Sequence, residues 1–130
     1  MNRKIVITAA LFGLLAVIAG AFGAHGLKAK LSLSDIEIWH TAVQYQFYHV
    51  FALLFLGLCT NARASLVNLG YYLFTFGIIC FSGSLYIVAA DELLGWHAAH
   101  ILWPLAPIGG VCFIGGWVAL ALVAAIRNKQ

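Results

Sequence analysis

Residues Trp39–Phe51 read WHTAVQYQFYHVF, within a segment that is otherwise apolar enough to cross a membrane. Where a bilayer helix normally carries leucine, this stretch holds the amides of Gln44 and Gln46 and the imidazole of His49. Lipid offers these groups no hydrogen-bond partner, so they must find partners inside the protein. The stretch therefore predicts a membrane helix that is packed among other helices.

The composition outside this stretch predicts three more membrane helices. Only 8% of the 130 residues are charged, whereas a soluble domain carries about 25%. Four runs contain no Asp, Glu, Lys or Arg: Ile5–Leu27, Ile38–Ala62, Ala64–Ala90 and Leu93–Ile126. Each is long enough for a helix of roughly 20 residues that spans a bilayer. We predict an all-α integral membrane four-helix bundle, a single transmembrane domain over residues 1–130 with helices at about 4–24, 35–59, 66–90 and 102–126.

The first apolar run needs a separate decision, because Arg3 and Lys4 before it resemble the start of a secretory signal. A signal-peptide core is about 7–15 residues long, and this run of about 20 exceeds it. The sequence therefore predicts a first transmembrane helix.

The basic residues predict the orientation of the bundle. One end would hold Arg3, Lys4, Arg63, Arg127 and Lys129, and the other Lys28 and Lys30. Because cytoplasmic loops carry the excess of Lys and Arg, both termini are expected in the cytoplasm. The predicted location is the bacterial cytoplasmic (inner) membrane, as a multi-pass protein. Topology also accounts for the net charge of +3, so we expect the lipid bilayer and not nucleic acid as a partner.

Polar groups of all four predicted helices should meet at one depth. Helices 1 and 3 would end on the outer side, where helices 2 and 4 begin. The predicted polar layer, which is also the candidate binding site, comprises His25, Gln44, Gln46, His49, Ser82, Ser84 and Tyr86. Pro107, at a similar depth, is expected to bend helix 4. Either the layer consists of interhelical hydrogen bonds that fix helix register, or it lines a pocket for a small molecule or lipid.

Glycines are the second unusual feature. The candidates for close helix packing are Gly20, Gly23, Gly70, Gly77, Gly109, Gly110 and Gly116. Small residues let membrane helices approach closely. Four short helices rarely need so many for internal packing, so this excess favours a homo-oligomer or attachment to a larger membrane complex.

Recognisable catalytic patterns are lacking from the sequence, which has no HExxH motif, no nucleophile with a matching base and no phosphate-binding glycine loop. We therefore predict a non-enzymatic protein with no catalytic residues, no metal and no cofactor. Three weaker hypotheses remain. His25 and His49 could be axial ligands of a haem, either could act as a general base on a lipid-soluble substrate, and His97 with His100 could hold a metal near two acidic residues.

Several motifs resemble those of a known family. These are GAFGAH at 20–25, QYQxxH at 44–49, FSGSLY at 81–86, and PxGG at 107–110 followed by Gly116-Trp117. Together they are similar to the domain-of-unknown-function family 423, also called the transmembrane protein 256 family. The resemblance implies a four-helix membrane protein of bacterial inner membranes. It carries no activity, substrate or catalytic residue.

The leading functional hypothesis is a non-enzymatic accessory or scaffold protein that self-associates or docks onto a membrane complex. The alternative is binding or transport of a small molecule or lipid through a polar pocket in the outer half of the bundle.

Overall fold

Four long helices form the protein in the computed structural model, which describes residues 1–126. They are α1 (Arg3–Leu27), α2 (Leu33–Leu58), α3 (Ala64–Leu94) and α4 (Ala99–Ala125), and each is long and apolar enough to cross a membrane. The described part of the chain contains no strand. The predicted all-α class with four membrane-spanning helices is confirmed. The orientation of the termini stays a prediction, and Arg127 and Lys129, two of the residues on which it depends, lie outside the described residues.

The helix ends follow local capping chemistry. Ser32 takes an extended conformation before α2, and its hydroxyl accepts the Asp35 backbone N–H at 3.1 Å. The sequence contains two overlapping Ser-x-x-acid patterns, and the earlier one forms the cap, so α2 starts two residues before the predicted position 35. At its far end, α3 runs to Leu94, where Gly95 adopts a left-handed φ of 65° that terminates the helix.

Three irregularities interrupt the helices. Gly23–Leu27 at the end of α1 and Ile79–Gly83 within α3 are π-helical turns, a feature frequently found at functional sites. In α4, a turn at Trp103–Pro104 separates a short first segment from the continuous helix Leu105–Ala125. Pro107 falls in the first turn of that continuous helix, where a backbone N–H is not needed. The bend that the sequence predicted at Pro107 is therefore wrong, and α4 is interrupted at Trp103–Pro104 instead.

Extensive contacts join consecutive helices, so that α2 and α3 occupy the centre while α1 and α4 lie at the two edges. The core combines aliphatic side chains from all four helices with aromatic rings from α3 and α4. Its buried members are Ile5, Ala9, Val50, Ala52, Leu53, Leu56, Val67, Tyr71, Phe74, Ile78, Phe113 and Val123. The edge helix α1 leaves many large apolar side chains uncovered, among them Leu11, Leu15 and Ile18 at 54–58% exposure. Such faces suit contact with lipid.

Most of the predicted packing glycines lie against other helices. A Cβ atom on Gly77 would stand 2.5 Å from the ring of Phe113, and one on Gly116 would stand 2.6 Å from the ring of Phe74. Gly23 makes the same kind of room for Trp39, and Gly70 for Leu56. The glycines therefore admit large side chains of neighbouring helices, which is an internal role.

Gly20, Gly109 and Gly110 differ from one another. A Cβ on Gly109 would approach the Phe81 backbone nitrogen to 2.5 Å, so α4 presses on the π-helical turn of α3 at this point. On Gly20 it would meet only Val43 at an ordinary 3.5 Å, and on Gly110 nothing within 4 Å. Gly110 is thus a small residue beside open space.

Replacing Gly109 with alanine is expected to destabilise the bundle, because backbone cannot yield as a flexible side chain would. Overpacking of this kind costs about 1–3 kcal/mol. Thermal unfolding in detergent should show a lowered Tm for Gly109→Ala and an unchanged Tm for Gly110→Ala, its neighbour with free space. Equal Tm values for the two variants would contradict the close approach at Phe81.

Candidate functional site

Gln46 connects three helices. Its amide nitrogen donates to the Phe12 carbonyl of α1 at 2.7 Å, and its amide oxygen accepts the hydroxyl of Tyr86 on α3 at 2.8 Å. A backbone carbonyl can only accept, and this fixes which end of the amide faces Phe12. Gln46 is 3% exposed, so both ends of a buried amide are satisfied within the protein.

His49 connects α2 with α4. The indole N–H of Trp117 donates to His49 Nε2 at 3.2 Å, and His49 Nδ1 lies 2.6 Å from the Tyr45 carbonyl. Because an indole nitrogen only donates, Nε2 must be the unprotonated nitrogen. Nδ1 therefore carries the proton and donates to Tyr45. The imidazole is neutral, in one tautomer, with both nitrogens engaged.

Two aromatic rings flank the imidazole. Phe113 stacks on His49 with ring centroids 3.4 Å apart and planes 2° from parallel. Phe74 lies at 5.7 Å on a tilted plane. These are the same rings that Gly77 and Gly116 admit, so two glycines of α3 and α4 determine how closely the aromatic groups approach His49.

Ser82 and Trp39 complete the hydrogen bonds between helices. The hydroxyl of Ser82, on the π-helical turn of α3, donates to the Ala42 carbonyl of α2 at 2.8 Å. The Trp39 indole donates to the Ala19 carbonyl of α1 at 2.9 Å, and its ring lies 4.7 Å from that of Tyr86. We call the side chains Trp39, Gln46, His49, Ser82, Tyr86 and Trp117 the polar network. It ties all four helices together.

The predicted polar layer is brought together only in part. Gln46, His49, Ser82 and Tyr86 join the polar network. Ser84 is buried on the same helix as Ser82 and donates to the Phe81 carbonyl of its own turn at 3.0 Å. His25 and Gln44 are exposed, and the structure does not bring them to this group. For Gln44 the reason is its position on the helix: it lies two residues from Gln46 and therefore faces away from it.

Neither Trp39 nor Trp117 was among the predicted site residues, although both join the polar network. Their residue type could have indicated this, because an indole N–H that is removed from water normally finds an acceptor. Trp117 lies in the C-terminal half of α4, and Phe12 lies near the middle of α1. The polar network thus extends beyond the half of the bundle where the sequence predicted it.

Metal and haem chemistry find no support in these positions. Within residues 1–126, no group of three or more His, Cys, Asp or Glu side chains could hold a metal ion. His49 has no ring nitrogen free for a haem iron or for a substrate proton. In the last turn of α3, the Asp91 carboxylate accepts the backbone N–H of Ala98, in the α3–α4 connection, at 2.8 Å.

Comparison with known proteins agrees with this architecture. A family described as proteins of unknown function, DUF423, matches residues 19–110, the part that contains most of the polar network. The chain belongs to the DUF423 family. No solved structure matches it.

Bacterial relatives of this DUF423 protein cover almost its whole length. It is 44% identical to a UPF0382 membrane protein of Staphylococcus epidermidis over 120 residues, which are 92% of this chain and 93% of that protein. It is 40% identical to the UPF0382 membrane protein YwdK of Bacillus subtilis over 128 residues, 96% of this chain and 98% of the relative. With its four spanning helices, the DUF423 protein is a multi-pass bacterial membrane protein.

The Tyr86–Gln46 hydrogen bond is expected to stabilise the bundle. Interhelical hydrogen bonds in membranes average about 0.6 kcal/mol and reach about 1.7 kcal/mol. Tyr86→Phe should lower the unfolding free energy by an amount in this range, whereas Tyr48→Phe, at an exposed ring, should not. A double-mutant cycle of Tyr86→Phe with Gln46→Leu measures the coupling, and additive effects would exclude the bond.

The tautomer of His49 can be observed directly. In ¹⁵N NMR of protein labelled at histidine, the signals of His49 should show a protonated Nδ1 and an unprotonated Nε2 at neutral pH. Trp117→Phe removes the only donor to Nε2 in the described contacts and should shift the Nε2 resonance alone. Trp96→Phe, in the exposed α3–α4 connection, is the control and should leave it unchanged. A protonated Nε2 in the unsubstituted protein would contradict the arrangement.

Proposed function

We propose that this protein is a non-enzymatic accessory or scaffold protein of the bacterial cytoplasmic membrane, which self-associates or docks onto a larger membrane complex. The observation that supports this proposal is the closed polar network. Its amide, imidazole, hydroxyl and indole groups are each hydrogen-bonded within the chain. In the described residues, the buried side-chain polar atom left without a partner is Thr75 Oγ1. These hydrogen bonds join the helices to one another, which supports a structural role for the polar groups at the centre.

The association surface is better sought on α1 than at the glycines. The sequence suggested the packing glycines as the association surface, but the space beside Gly77 and Gly116 is filled by aromatic rings of the same chain. Substituting them would disturb the fold and would not test association. By contrast, α1 packs mainly on α2 and exposes Leu11, Leu15 and Ile18 on its far side. An apolar face at the edge of a bundle can pack against another helix without loss of contacts inside the chain.

The test is the mass of the protein in lipid nanodiscs and in a mild detergent, measured by native mass spectrometry. We expect a homo-oligomer that dissociates at least tenfold more readily in the variant Leu11→Ala, Leu15→Ala, Ile18→Ala. The matched control is Ile114→Ala, Val118→Ala, Leu122→Ala, on the lipid-facing side of α4, which should keep the oligomer. A monomeric unsubstituted protein, or equal dissociation of the two variants, would reject self-association through α1.

A second candidate function is binding of a small molecule or lipid. The sequence predicted it from the polar layer, whereas the observation that favours it is an apolar groove. Each side-chain nitrogen and oxygen of Gln46 and His49 already has a hydrogen-bond partner within the chain. A groove does open beside Ser84, between α3 and α4, and its lining is apolar.

A further inference from the structure

Helix α2 has one exposed side, although it lies at the centre of the bundle. Gln46 and His49 are on its buried side and hydrogen-bond to the other three helices. The opposite side carries an exposed amide and, beyond it, large aromatic and aliphatic side chains that are 54–62% exposed. At about 100° per residue, all of them fall within about 80° of one another. We call this side the outer face of α2, and it comprises Gln44, Tyr48, Phe51, Phe55 and Leu58.

Gln44 carries an unsatisfied amide within the membrane. No hydrogen bond joins this amide to any residue of the described range 1–126. Gln44 lies about 16 Å from the Leu33 end of α2 and about 21 Å from the Leu58 end, at a rise of about 1.5 Å per residue. The hydrocarbon core is about 30 Å thick, so lipid chains surround the amide and offer it no partner. By contrast, the amide of Gln46 at almost the same depth is bonded at both ends.

We propose that the outer face of α2 binds a second copy of this chain, with the Gln44 amides of the two copies hydrogen-bonded to each other. The proposal rests on the self-association proposed above and names a contact for it. It uses a different helix face from Leu11, Leu15 and Ile18, so the two contacts can be tested separately.

The glutamine amide is complementary to itself. Its nitrogen donates hydrogen bonds and its oxygen accepts them, so two amides that face each other can form two reciprocal bonds. Glutamine side chains hydrogen-bond across membrane helices in this way. A lipid chain supplies neither a donor nor an acceptor at this depth. The unsatisfied amide therefore favours a protein partner over lipid.

The symmetry of the bilayer favours a second copy over a different protein. Copies of one chain share one orientation in the membrane, so two copies can be related by a two-fold axis along the membrane normal, with the same surface used by both. A residue of α2 beside this axis meets its own counterpart at the same depth. Gln44 of one copy thus faces Gln44 of the other, whereas a different protein would need its own polar group at this level.

The spacing along the outer face suits two parallel helices. Its five residues alternate at intervals of four and three positions, as the contact positions of a coiled coil do. A single polar residue in such a row fixes the register of the two helices. The face extends about 21 Å along α2, and the two-fold arrangement places Phe51 and Phe55 against their counterparts.

The experiment is disulfide cross-linking of the full-length protein in liposomes, in a variant whose three native cysteines are replaced by alanine. Phe51→Cys and Phe55→Cys should each form a disulfide with the same position of a second copy, at twice the mass of the chain. Ile114→Cys, at 67% exposure on α4, measures random collisions. We expect the two α2 variants to give at least fivefold more dimer than Ile114→Cys, and equal yields would overturn the proposal.

The decisive variant is Gln44→Leu, combined with Phe55→Cys. Leucine removes the amide and breaks no hydrogen bond within the described chain, so it should lower the yield of dimer at least fivefold. Asn68→Leu is the matched control, because it also replaces an exposed amide, close to the start of α3, and it should leave the yield unchanged. An unchanged yield with Gln44→Leu would overturn the amide pairing. A lower Tm of Gln44→Leu in monomeric micelles would show an internal role for the amide and overturn it as well.

Native mass spectrometry separates this contact from self-association in general. An oligomer in which Phe55→Cys cross-links no more than Ile114→Cys would retain self-association and overturn the α2 contact. A monomer without cross-links would reject both. The Phe55→Cys dimer should persist when Leu11, Leu15 and Ile18 are replaced by alanine, because the outer face of α2 does not include α1.

Discussion

The need to hydrogen-bond Gln46 and His49 away from water constrains the whole bundle. Without water in the bilayer core, each unsatisfied polar group costs several kcal/mol. Gln46 meets this need through α1 and α3, and His49 through α4, so α2 is bonded to every other helix. Hydrophobic packing alone cannot do this, because lipid tails are as apolar as leucine. The polar network therefore specifies which faces of the helices meet.

Aromatic packing depends on the same helix contacts. Phe113 and Phe74 reach the imidazole only because Gly77 and Gly116 carry no side chain. The π-helical turn in α3 lies at the same level: Ser82 bonds to α2 from it, and Gly109 presses against Phe81 within it. α3 and α4 pack closely along Ala64–Gly83, whereas the segment Ser84–Leu94 makes few contacts with the continuous helix Leu105–Ala125. The apolar groove lies in this loosely packed part.

The contacts within the bundle leave different surfaces for a partner than the sequence predicted. In the sequence, abundant glycines indicated association with other proteins, and polar residues indicated a binding pocket. In the structure, most of these glycines and the central polar groups are used within the chain. What remains available outside is the apolar face of α1, the apolar groove at α4 and the outer face of α2 with the amide of Gln44. These surfaces suit partners within the membrane.

The sequence by itself determined the four spanning helices, because charge-free runs of sufficient length have no other stable form in a bilayer. It also identified Gln46, His49, Ser82 and Tyr86 as groups that require partners. Only the tertiary structure decided which partners they have. Trp117 and Phe12 are distant in sequence from α2, and one of them contributes a backbone carbonyl that no side-chain pattern reveals. The exclusion of His25 and Gln44 was likewise decided by the rotation of each helix about its axis, which hydropathy and motif spacing leave open.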